Sequence, residues 1–70
     1  MTEEQIMQAP IEEVIDRWCE LYKTSIQLSV YINEKKDIFT IKDIKGFKKL
    51  IKLAKQEMNL IEKHRPEAID

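Results

Sequence analysis

Glycine and cysteine occur once each, histidine once and proline twice in this chain of 70 residues. Each scarcity excludes something. A single cysteine, Cys19, permits no internal disulfide. A structural zinc site takes four Cys or His ligands, and Cys19 and His64 supply two, so no metal and no other cofactor is expected. Gly46, standing alone, cannot build a glycine-rich phosphate loop. No apolar run approaches the roughly 18 residues that a bilayer crossing needs. The first residues are acidic and lack the apolar core of a signal peptide, so export is not expected. A lone thiol suits a reducing compartment, which makes the cytoplasm the expected location. The composition, rich in isoleucine and lysine, is also that of AT-rich bacterial and phage genomes, an association rather than a physical argument.

What remains is a chain with few helix breakers, 43% hydrophobic and 36% charged, as expected of long helices with one solvated side. A domain this small buries only about 60% of the surface its unfolded chain exposes. Without a disulfide or metal, self-association or a protein partner is the expected source of added stability.

Residues 1–70 read as one small domain. Residues 1–9 form a short helix or arm, 10–36 a first helix, 40–64 a second, and 65–70 a frayed tail. Thr2 and Gln5 have capping-box spacing, and Glu3 and Glu4 suit a helix start. Pro10 fits the first turn of the next helix. From there Ile11, Val14, Ile15, Trp18, Leu21 and Tyr22 recur at helical spacing. Thr40 and Asp43 resemble a second capping box, flanked by Phe39 and Ile44 as a hydrophobic staple. Ile44, Phe47, Ile51, Ala54, Met58 and Ile61 follow at alternating spacings of three and four, the seam of a helix packed on a helix. Pro66 ends that helix.

Residues 25–33 fit two periods. Ile26, Leu28, Val30 and Ile32 alternate with polar residues or tyrosine, as in a half-buried strand. As a helix, the same stretch places apolar groups on two flanks with Ser25 and Ser29 between them, which suits two packing neighbours. A β-hairpin would have to turn through Glu34–Asp37 without glycine, whereas the Thr40 cap favours a helical turn. The expected fold is therefore all-α: an antiparallel helical hairpin with a short N-terminal helix, dimerising into a helix bundle. The alternative is an α-β-β-α chain with a central hairpin at residues 25–41.

Charge is unevenly placed although the net is −1. Met1 to Glu20 carries Glu3, Glu4, Glu12, Glu13, Asp16 and Glu20 against Arg17 alone. Lys42, Lys45, Lys48, Lys49, Lys52 and Lys55 are opposed only by Asp43 and fall within about 140° of one helix face. The plainest reading of this basic face is a solvated surface that keeps an apolar helix soluble. It also suits contact with an acidic protein or with phosphates, but it lacks the arginine that reads base edges.

Other side chains receive bland readings. Cys19 has Glu20 beside it rather than a base or cation, so it is expected to be a small buried hydrophobe rather than a nucleophile. His64 with Glu62 and Glu67 reads as a solvated charge cluster. Trp18 joins the apolar seam, and Tyr31 lies off the main face as a candidate exposed contact. Paired carboxylates such as Glu12 and Glu13 lack a pocket in which to shift their pKa values. The functional expectation is a small non-catalytic regulator, a homodimer that binds and modulates a larger protein through Ile44, Phe47, Ile51, Ala54, Met58, Ile61 and Trp18. The alternative is a nucleic-acid-binding accessory protein that uses the lysine face. No motif singles out a family.

Overall fold

A computed structural model describes residues 1–69. Helix α1 spans Glu3–Gln8, α2 spans Ile11–Lys35 and α3 spans Ile41–His64, followed by a 3-10 turn at Pro66–Ala68. Among the described residues there is no strand. The helices α2 and α3 run antiparallel, since Arg17 meets Glu57 near one end and Tyr31 meets Phe47 near the other.

Local chemistry fixes the ends. The Thr2 hydroxyl accepts from the Gln5 amide at 3.2 Å, while the Gln5 side chain accepts from the Thr2 amide at 2.8 Å. Thr40 and Asp43 repeat this reciprocal pair at 3.2 Å in both directions and start α3. Pro10 sits one position earlier than expected, as the residue capping α2. Its extended backbone leaves the carbonyl free to accept from Glu13 and Val14.

The segment 25–33 is helical, and the strand alternative is discarded. Its serine hydroxyls find partners one turn back: Ser25 donates to the Leu21 carbonyl and Ser29 to the Ser25 carbonyl, both at 2.9 Å. Ser25 is buried against α3, where its small side chain admits the neighbouring helix. Leu28 and Ile32 are half-buried, whereas Ile26 and Val30 stay 46% and 47% exposed. The alternation thus records two flanks of one helix.

The core lies at one end of the rod. Ile6, Val14, Leu21, Ala54 and Ile61 form it, with Met1, Ala9, Trp18, Met58, Leu60 and Ala68 packed around. Helix α1 folds back to lay Ile6 against α3, which closes this end. At the opposite end the Lys36–Phe39 turn is held by rings. Phe39 packs on Tyr31 and Phe47 with centroids 5.2 and 5.0 Å apart, and no side chain beyond Ser25 on α2 or before Ala54 on α3 is buried.

Two expectations need correction. Cys19 is exposed, because it falls on the side of α2 turned away from α3. Residues 65–69 are not a frayed tail: the Pro66–Ala68 turn packs on α2 and α3, and Arg65 reaches α1. Asp70 lies outside the described residues.

Candidate interaction surfaces

Arg65 is the strap that holds α1. The last carbonyls of a helix lack intrahelical donors, and α1 is too short to persist on its own. The Arg65 guanidinium supplies those donors, from Nη1 to the carbonyls of Ala9 at 2.8 Å, Ile6 at 3.1 Å and, more weakly, Met7 at 3.5 Å. Its Nε donates to Glu67 at 2.6 Å, which fixes the fork and holds the Glu67 carboxyl below its ordinary range. Nearby, His64 Nε2 lies 2.7 Å from Glu3 Oε1 without meeting hydrogen-bond geometry. His64 is thus half-buried against α1 rather than part of a solvated cluster.

A second ionic group crosses one long side of the hairpin. Arg17 donates to both oxygens of Glu57, at 2.6 and 3.1 Å, and the terminal amine of Met1 adds a contact at 2.7 Å. The paired hydrogen bonds from Arg17 pull the Glu57 carboxyl below the usual carboxylate range and raise Arg17 further. A depressed carboxylate stabilises the fold fully above its unfolded pKa and loses that contribution as pH falls through the folded value. Acid unfolding of the native chain should therefore steepen between about pH 5 and pH 2 relative to Glu57→Gln. Thermal melts across that range check this, and parallel curves for the two proteins would contradict it.

The interaction seam read from the sequence faces α2. Ala54 and Ile61 are buried in the chain's own core, while Ile44, Phe47, Ile51 and Met58 are half-buried along the same contact. A residue enclosed in its own hairpin cannot also meet a partner, so Ala54 and Ile61 leave the set of candidate contacts. Trp18 is half-buried at the rim. Its ring stacks on Tyr22 at 5.3 Å, and its Nε1 is buried without a hydrogen-bond partner.

The apolar side chains available to another molecule lie elsewhere. Tyr22, Ile26 and Val30 border a groove beside Met58 on one side of the hairpin. Leu50 and Leu53 are exposed on the other side, in a groove that Arg17, Glu20 and Glu57 also line. Ile38 and Ile41 are exposed at the turn, Ile41 by 76%. Sequence periodicity could not find these positions, since it reports that α2 has a broad apolar face and not which part of it α3 covers.

All six lysines of the basic face are exposed, and among the described residues none forms an ion pair. Folding separates the charges along the rod. Residues 23–56, the turn end, carry nine lysines against Glu34, Asp37 and Asp43. Residues 1–22 and 57–69, the core end, carry nine acids against Arg17, Lys63 and Arg65. One end is therefore net +6 and the other net −6. No described helix is long and apolar enough to cross a membrane, and no group of three or more possible metal ligands occurs among the described residues. Comparisons with protein-family models, with curated proteins and with solved structures find no match for this chain.

Proposed function

We propose that this chain is a small, non-catalytic interaction protein that self-associates into a helix bundle and regulates a larger protein by binding it, in a reducing, cytoplasmic setting. The observation that carries the reading is surplus surface. The chain exposes 5383 Å², whereas a compact monomer of 8.4 kDa exposes about 4,600 Å². Its radius of gyration is 14.0 Å, against about 11 Å for a compact domain of this length. The exposed residues include large apolar side chains, Tyr22, Ile26 and Val30 on one side and Leu50 and Leu53 on the other. Apolar patches on the surface of a small protein mark contact sites.

Association that favours the folded state raises the melting temperature with protein concentration. The melting temperature should rise by several degrees between about 1 μM and 1 mM. A constant value, with monomeric sedimentation throughout, would remove self-association. A photo-crosslinking residue at Leu53 should then capture one larger protein in the native host, and recovery of this chain alone would remove the regulatory partner.

A second reading is supported by the unpaired lysines of α3. Nucleic-acid binding through them would weaken steeply with salt, because each neutralised phosphate releases counterions. No binding at low salt would exclude it.

A further inference from the structure

We infer that the face of α2 bearing Trp18, Tyr22, Ile26 and Val30 receives a second copy of this chain, running antiparallel about a two-fold axis at the level of residue 24. This rests on the self-association reading above and adds the face, the direction and the register. Three observations lead to it.

The first is the contrast between the two long sides. The Leu50 and Leu53 side is crossed by the Arg17, Glu57 and Met1 ionic group, which a partner would have to strip of water. The groove on the Tyr22 side is lined mainly by Tyr22, Ile26, Val30 and Met58 with two small serines, and Lys55 is its one charged residue among those described. Ser29 in that groove is small enough for another helix to come close.

The second is charge. A symmetric dimer places the same patch of each copy against its mate. A parallel pair would set the −6 ends together and the +6 ends together. An antiparallel pair sets each acidic end against a basic one, so charge selects the direction.

The third is that two independent midpoints fall within two or three residues of each other. The apolar stripe from Trp18 to Val30 is centred on residue 24. The charge of α2 changes sign between Tyr22 and Lys23. An axis there sets Tyr22 level with the partner's Ile26 and Trp18 level with the partner's Val30. Glu12 and Glu13 then lie level with the partner's Lys36 and Lys35. The broad side of a rod 42 Å long and 19 Å wide offers about 800 Å², the share each partner contributes to a standard stable interface.

Cys19 provides the test. In this register it lies level with the partner's Ser29, on neighbouring flanks of the same face, whereas the two Cys19 thiols are separated along the rod by about 15 Å, beyond disulfide reach. Mild oxidation of Ser29→Cys should give a covalent dimer joined by two Cys19-to-29 bridges, identified by peptide mapping. The native chain should give none, and neither should Ser29→Cys carrying Cys19→Ser. The two positions in one chain are equally distant, so no internal bridge competes. Separately, Ile26→Glu should retain its helical circular dichroism, since Ile26 is already 46% exposed, and should weaken dimerisation by about 100-fold or more. A Cys19-to-Cys19 bridge in the native chain, no bridge in Ser29→Cys, or a dimer indifferent to Ile26→Glu overturns the face or the direction while leaving self-association standing. A native chain that is monomeric at millimolar concentration defeats both.

Discussion

Ile61→Asp should abolish cooperative folding. Ile61 has no exposure to solvent and sits among the core residues where α1 folds back over α3. A carboxylate placed there must shed its water among apolar side chains, and an uncompensated buried charge costs about 3–5 kcal/mol or more. A domain of this length has only about 3.5–10 kcal/mol of total stability. Ile61→Ala, which removes volume without adding charge, should cost about 2–5 kcal/mol and leave a shifted but cooperative transition. The sequence singles out Ile51 for such a test, because it lies in mid-seam. The structure moves the sensitive position: Ile51 is half-buried on the ring-held half of the hairpin, so Ile51→Asp should cost distinctly less than Ile61→Asp. Urea titrations followed by circular dichroism rank the variants. An Ile61→Asp protein that melts within about 1 kcal/mol of native would mean that the core has been misplaced.

Loss of Arg65 should detach α1 without unfolding the hairpin. Hydrogen bonds from a charged donor contribute about 1.5–3 kcal/mol each when well formed, and less where water competes. Arg65 makes two good ones to the carbonyls of Ile6 and Ala9 and is half-buried. Arg65→Ala should therefore cost about 2–3 kcal/mol globally. Amide exchange in Glu3–Gln8 should accelerate far more than in the Val14–Leu21 region. Arg65→Lys should recover less than half of the loss, since an ammonium is a compact, strongly hydrated charge with no planar fork. Uniform acceleration along the whole chain would show that α1 does not detach separately, and full rescue by lysine would show that Arg65 acts through its charge alone.

The parts of this fold that could be read from the sequence are those set by near neighbours. The Thr2–Gln5 and Thr40–Asp43 boxes are complete within four residues, and both form as expected. The three-and-four spacing from Ile44 to Ile61 identifies the side of α3 that turns inward, and that side does face α2. The Ser25–Asn33 stretch was ambiguous because alternation and a two-flanked helix produce the same pattern there; serine hydroxyls bonded to carbonyls one turn back agree with the helix.

What the sequence concealed depends on distant contacts. Arg65 and the carbonyls it caps are separated by 56 to 59 residues, and nothing in the local pattern announces the pairing. The Arg17–Glu57 pair spans 40 residues. Neither the tail's order nor the docking of α1 could be foreseen without them. Cys19 is exposed against expectation for a related reason. A helical wheel shows how wide an apolar face is, and only the position of α3 decides which edge remains in water.

The placement of turn and core at opposite ends of the rod bears on how the chain assembles. The cheapest loop to close lies at Lys36–Phe39, between helices adjacent in sequence. Contacts made there, around Phe39 and Phe47, exclude little solvent. The interactions that hold the native state arrive only once pairing has travelled past Leu21 and Ala54 and Ile6 has met Ile61, near the two extremities of the chain. A hairpin that grows from this turn therefore reaches its buried contacts last, and the docking of Ile6 on Ile61 is the last of them.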